Sequence, residues 1–131
     1  IILNCQRLTI KKFYALDFHW CYRATLNLVS NAIQHADSQV SLSLDYSNQG
    51  FSISVEDDGT GVPEDKRDEI FSPFIKLDSS RCREQGHFGL GLAISAKVMD
   101  WHNGKIKVDA GIELPGARFN LLFPSQNNTS N

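Results

Sequence analysis

The chain has 131 residues, 41% of them hydrophobic, which is the size of one domain with one core of ordinary kind. Thirteen Lys and Arg against fifteen Asp and Glu leave a formal charge of −2, so no global positive field recruits nucleic acid or an anionic membrane, and any phosphate site must be local. Cys5, Cys21 and Cys82 are odd in number and widely spaced, which excludes a disulfide framework and a zinc site and suits a reducing compartment; no run of about 18 apolar residues is present to cross a bilayer.

The chain opens on Ile1, Ile2 and Leu3 without an initiator methionine, and reads as a piece of a longer protein. Short β-branched and aromatic runs at 1–3, 7–10 and 13–16 suit short edge strands. Asp17 then offers an N-cap, and 18–35 is predicted helical, with Leu26, Val29 and Ile33 at helical spacing. Alternation at 39–46, with Val40, Leu42, Leu44 and Tyr46 on one face, and again at 51–55, predicts a hairpin through the connection at 47–50. A turn rich in Gly and Asp at 57–63 leads to a short charged helix at 64–70, and 78–86 reads as a mobile loop.

A second helix is predicted over 89–101, with Leu90, Ile94, Val98 and Trp101 on one stripe and Gly104 placed to end it. Strands at 105–110 and 117–123, joined through Pro115 and Gly116, close the domain at residue 124, and 125–131 is a polar, flexible tail. The fold class that follows is α+β: a two-layer sandwich of one mixed, mostly antiparallel sheet with helices on one face.

Three constellations carry chemistry. Positions 27–35 read NLVSNAIQH, with Asn27 and Asn31 four apart on one helix face. A neutral amide oxygen suits a hard cation such as Mg²⁺, although a solvated polar face accounts for the pair alone more simply. Positions 55–63 read VEDDGTGVP, and the D-x-G-x-G spacing of Asp57, Gly59 and Gly61 puts a carboxylate where the backbone turns sharply and a planar ligand can come close. Asp57 can there accept a hydrogen bond from an exocyclic amine such as adenine supplies; a plain Asp-Gly turn is the simpler alternative, less specific than the full string.

Positions 86–94 read GHFGLGLAI, glycines running into a helix whose bare N–H groups and dipole suit phosphate. Lys76, Arg81 and Arg83 in the preceding loop can add charge, though loop cations are more often merely solvated. A Rossmann fingerprint is unsupported, because no strand leads directly into the glycines, and no Walker string is present.

In this order the pieces resemble the ATP-binding catalytic domain of bacterial two-component sensor histidine kinases, within the wider Bergerat-fold group that includes gyrase, Hsp90 and MutL ATPases. The likeness covers residues 17–124: 27–35 resembles the N box, 57–61 the G1 box, 70–74 (IFSPF) the F box and 86–91 the G2 box, while Gly104, 116–119 (GARF) and Pro124 resemble the closing strands. The segment 76–81 and the junction of Phe88 with Gly89 are similar to the RstB-type subclass.

The resemblance implies that Asn31 coordinates Mg²⁺, that Asn27 supports metal and phosphates, that Asp57 holds the adenine amine, and that Gly59 and Gly61 frame the base. It adds His35, Phe71, Phe74, Phe88, Gly89, Leu90 and Gly91 to the nucleotide site, with 75–88 as a lid carrying Lys76, Arg81 and Arg83. Departures from the family pattern are Gln34 where lysine is frequent, His35 where an aromatic is frequent, and Gly86 one place early with His87 and Phe88 between.

Members that hydrolyse ATP carry a glutamate where this chain has Asn27, and an amide cannot take a proton from water at neutral pH. ATP is therefore expected to be kept for transfer to a histidine on a separate dimerisation and phosphoacceptor domain, then to a response regulator. The implied setting is the cytoplasmic side of a membrane-bound homodimer of the bacterial inner membrane, the isolated domain being monomeric. None of His19, His35, His87 and His102 has the setting of the phosphorylated residue. The rival reading, motivated by Gln34 and His87, is a degenerate module that binds nucleotide or a partner without transfer.

Overall fold

The computed structural model describes residues 2–5, 17–72 and 90–124. The expected strands at 7–10 and 13–16, the loop at 78–86 and the tail at 125–131 lie outside them. Among the described residues five strands form one sheet in the order β1-β2-β3-β5-β4: β1 Ile2–Cys5, β2 Gln39–Ser47, β3 Gly50–Asp57, β4 Lys105–Ala110 and β5 Ala117–Pro124. Strand β1 runs parallel to β2 and every other pair is antiparallel, which makes the sheet mixed and mostly antiparallel. Among the described residues the helices α1 Phe18–His35 and α2 Gly91–Trp101 pack on each other and on one sheet face.

Register explains which side chains meet the helices. Val40 pairs with Asp57, Val55 with Phe119, Ile53 with Leu121 and Phe51 with Phe123, so the apolar side chains of alternate positions fall on one face. Val40, Val55, Phe119, Leu121 and Phe123 are all buried there beneath Ala24, Leu28, Ala32, Val98 and Met99. The β2–β3 turn is two residues long, Ser47 facing Gly50, and Gly50 takes a φ of 136° that a side chain would resist.

Asp57 is the last residue of β3 and lies on this covered face, so the sheet delivers a carboxylate to the edge of the core. Asp17 caps α1 as expected, its Oδ1 accepting from Trp20 N–H at 3.1 Å.

Each helix buries a stripe that shares only one residue with the predicted one, Val29 partly in α1 and Val98 fully in α2. Leu26 and Ile33 are 45% and 44% exposed, and the buried side of α1 is Cys21, Ala24, Leu28 and Ala32. Small residues win that face because they let the helix approach the sheet and α2 closely, where Ser95 Oγ donates to Ala24 O at 3.0 Å. Leu90, Ile94 and Trp101 are likewise exposed, and α2 turns Ser95, Val98 and Met99 inward.

The expected helix at 64–70 is two 3-10 turns, Glu64–Lys66 and Glu69–Phe71, since so short a segment with only Ile70 buried gains too little to complete an α-helix. At the end of α2 the left-handed residue is Asn103, with φ 58°, and Gly104 follows it. Gly104 matters for closeness: a Cβ there would lie 2.4 Å from Leu122 O.

Candidate functional site

The site is built along one face of α1. Asn27, Asn31 and His35 follow at four-residue intervals, about 6 Å of rise apiece, toward the helix C-terminus. At one end of this row Asn27 Nδ2 donates to Gly91 O at 3.1 Å, which ties α1 to the first turn of α2. At the other end His35 O comes so near Gly59 that a Cβ on the glycine would be 2.2 Å away. Asn31 stands between the two junctions, half-buried, and its side-chain amide has no hydrogen-bond partner among the described residues.

Asp57 forms the deep wall and is 2% exposed. Its Oδ1 accepts from Gly59 N–H at 2.9 Å and Ala117 N–H at 3.4 Å, and nothing among the described residues donates to Oδ2. Burial raises the carboxyl above its ordinary value; the N–H groups of Gly59 and Ala117 and the nearby His35 oppose the rise without cancelling it. A buried carboxylate oxygen left without a donor is costly for a fold to keep, so its natural complement is a ligand's N–H.

Gly61 is required for a second reason, its φ of 79°, and its closest neighbour is Gly116. Next to the pocket, Asp58 Oδ1 accepts from the N–H groups of Asp37 and Ser38 at 2.8 and 3.0 Å and its Oδ2 from Ser38 Oγ at 2.8 Å, fixing the exit of α1. The Ser38 N–H leads in holding the Asp58 carboxyl below its ordinary value.

The structure therefore brings together Asn27, Asn31, His35, Asp57, Gly59, Gly61 and the start of α2 at Leu90 and Gly91. Phe71 packs edge-on against Phe119, ring centroids 6.2 Å apart, at the wall of the core, and Leu90 is 41% exposed. Phe74, Lys76, Arg81, Arg83, Phe88 and Gly89 lie outside the described residues. Gln34 is 8% exposed, a place that an uncharged amide tolerates better than the lysine frequent there in the resemblance.

Gly116 and Ala117 belong to the site, whereas in the sequence they read only as a strand connection and a closing strand. A Cβ on Gly116 would lie 2.3 Å from Asp57 Oδ1 and 2.7 Å from Gly59 N. Pro115 and Gly116 read locally as a strand connection, and only the β3–β5 pairing places them against Asp57.

A family model described as histidine kinase-, DNA gyrase B-, and HSP90-like ATPase matches residues 17–127. The sensor protein RstB of Escherichia coli K12 is 40% identical over 116 residues, covering 88% of this chain and 27% of its own length. The sensor histidine kinase CpxA of the same organism is 36% identical over 98 residues, 75% of this chain and 21% of its own. The chain thus spans about a quarter of the length of these relatives. Among solved structures, the ATP binding domain of PrrB from Mycobacterium tuberculosis superposes with a TM-score of 0.76 at 26% identity, over 97% of this chain and 82% of that one.

Proposed function

The chain belongs to the histidine kinase-, DNA gyrase B- and HSP90-like ATPase family, and from that premise we propose that it binds ATP with magnesium and donates the γ-phosphoryl group to a histidine. The acceptor is the dimerisation and phosphoacceptor domain of the same protein, and the phosphoryl group passes from there to an aspartate of a response regulator. The observation that carries the reading is the Asp57 carboxylate, buried, with both donors on Oδ1 and none among the described residues on Oδ2. An adenine amine supplies the missing donor, and Gly59, seated against His35 O, holds the turn that carries the carboxylate close to the end of α1.

Asn31 would hold the magnesium through its amide oxygen, a hard neutral ligand with no competing partner among the described residues. Bound magnesium supplies charge neutralisation on the phosphates. The phosphates would run toward the N-terminus of α2, whose first-turn N–H groups and dipole favour negative charge, with Lys76, Arg81 and Arg83 as further charge for the terminal phosphate. Asn27, tied through Nδ2 to Gly91 O, keeps that helix start in register with Asn31. Positioning and charge stabilisation account for most of the catalysis of phosphoryl transfer.

Transfer rather than hydrolysis follows from Asn27, because its amide cannot deprotonate water. The names of RstB and CpxA as sensors point the same way. The whole protein is read as a membrane-bound homodimer with this chain on the cytoplasmic side; no helix among the described residues is long and apolar enough to cross a membrane.

The test is to supply the full-length protein with γ-labelled ATP and Mg²⁺. Acid-labile label on a histidine of the phosphoacceptor domain is expected, with phosphate release by the isolated chain no faster than spontaneous hydrolysis. Nucleotide binding without any label on histidine would overturn the transfer reading, and steady release by the isolated chain would favour a stand-alone ATPase.

A further inference from the structure

Glu56 is the chain neighbour of Asp57 but faces the opposite side of the sheet, and it is 2% exposed. Its Oε1 accepts three consecutive backbone N–H groups, those of Ile112, Glu113 and Leu114, at 2.7, 3.0 and 3.1 Å. The connection between β4 and β5 is thereby wrapped around one oxygen, as a backbone nest wraps an anion. Oε2 takes the Arg118 guanidinium, its partner in the β3–β5 register. The other end of that guanidinium donates to Ser54 Oγ at 3.0 Å, and Ser54 donates on to Asn120 Oδ1 at 2.6 Å.

Burial alone would raise the Glu56 carboxyl. The N–H groups of Leu114 and Ile112, the guanidinium and the N–H of Glu113 outweigh it and hold the group ionised below its ordinary value.

The far end of the same loop carries the groups that orient Asp57. Gly111 N–H donates to Gly116 O at 2.9 Å and closes the loop; Gly116 N–H then donates to Asp57 O at 3.0 Å, and Ala117 N–H to Asp57 Oδ1. A Cβ on Gly111 would meet Leu114 O at 1.9 Å and Glu56 Oε1 at 3.0 Å, so only glycine fits where the loop closes over the carboxylate.

We propose that Glu56, clamped by Arg118, is a positioning residue for recognition of the base: by fixing residues 111–116 it fixes the amides that turn Asp57 so that Oδ1 is occupied and Oδ2 is presented to the ligand's amine. This rests on the nucleotide reading of the site given above. The alternative role, an anchor for the hairpin and nothing more, would weaken every nucleotide alike.

Calorimetric titration with Mg²⁺ and either ATP or the purine nucleoside triphosphate that lacks the exocyclic amine separates the two. The native chain is expected to prefer ATP by about tenfold or more, the worth of one charge-assisted bond in a buried site. Glu56→Gln, which keeps the size and one acceptor but sets an amide against the guanidinium, is expected to cut that preference about fivefold. Its affinity for the amine-free nucleotide should change less than about twofold.

A preference left intact in the variant, or an equal loss for both nucleotides, overturns the positioning role while the nucleotide reading stands. Should Glu56→Gln not fold, Arg118→Lys, which keeps the charge and gives up the fork, decides by the same criterion. A native chain that takes up neither nucleotide sinks the nucleotide reading and the role of Glu56 with it, while one that takes up both equally overturns the seating of the amine on Asp57 and therefore the role of Glu56.

Discussion

Asp57→Asn is expected to weaken ATP binding by about 1–3 kcal/mol, roughly five- to 150-fold, while leaving the fold at least as stable. In one orientation the new amide keeps Oδ1 on the N–H groups of Gly59 and Ala117 and turns its own NH₂ toward the adenine amine, donor against donor. Flipped, it faces the base with oxygen but sets NH₂ against the two backbone donors. Neither orientation satisfies both sides, whereas the carboxylate, which only accepts, satisfies both at once.

Stability moves the other way, and the sign follows from the direction of the shift. Burial holds the Asp57 carboxyl above its ordinary value. Such a group favours the folded state only when protonated, a contribution complete below the unfolded pKa of about 3.9 and lost as the pH rises through the folded one. At pH 7 the ionised carboxylate therefore works against the fold, and a neutral isostere removes that burden. Calorimetry with ATP and thermal unfolding of the free chain check the two halves; unchanged affinity, or a lower Tm with affinity intact, would contradict the assignment.

Gly116→Ala is expected to cost about 1–3 kcal/mol of stability and to weaken ATP binding at least tenfold, about as much as altering Asp57 itself. The added methyl would sit 2.3 Å from Asp57 Oδ1 and 2.4 Å from Asp57 O, with Gly59 N at 2.7 Å. Two of those three atoms are backbone, so the collision cannot be relieved by a rotamer, and the strand ends that carry Asp57 must part. Gly61→Ala strains the same neighbourhood through conformation instead, since its φ is 79° while a Cβ there would meet Gly116 only in ordinary contact, at 3.6 Å. Retained affinity in Gly116→Ala, measured on folded protein, would show that Asp57 does not need its close seat.

Much of the site was legible because its chemistry demands particular residue types at short fixed spacings. Asn27 and Asn31 lie one turn apart on a helix, and Asp57, Gly59 and Gly61 lie within one turn of chain, so both groups can be read without knowing the fold. The strands were legible through alternation, and Asp17 through its position just before a helical run. What escaped depended on partners distant in sequence: Glu56 with Arg118, and Gly116 with Asp57, are joined only by the pairing of β3 with β5.

The buried helix faces escaped for a different reason. Hydrophobic size pointed to Leu26, Ile33, Leu90 and Trp101, but α1 and α2 pack through Ala24, Ala32 and Ser95, residues valued for being small. Large apolar side chains on the outer face are consequently exposed, Phe18 and Tyr22 stacked at 5.9 Å among them.

A structure of the chain with magnesium and a non-hydrolysable ATP analogue tests the central claim most directly. The adenine amine is expected within about 3 Å of Asp57 Oδ2, with the phosphates between Asn31 and the first turn of α2 and the metal on the Asn31 oxygen. A nucleotide seated elsewhere, or one whose amine faces away from Asp57, would contradict it.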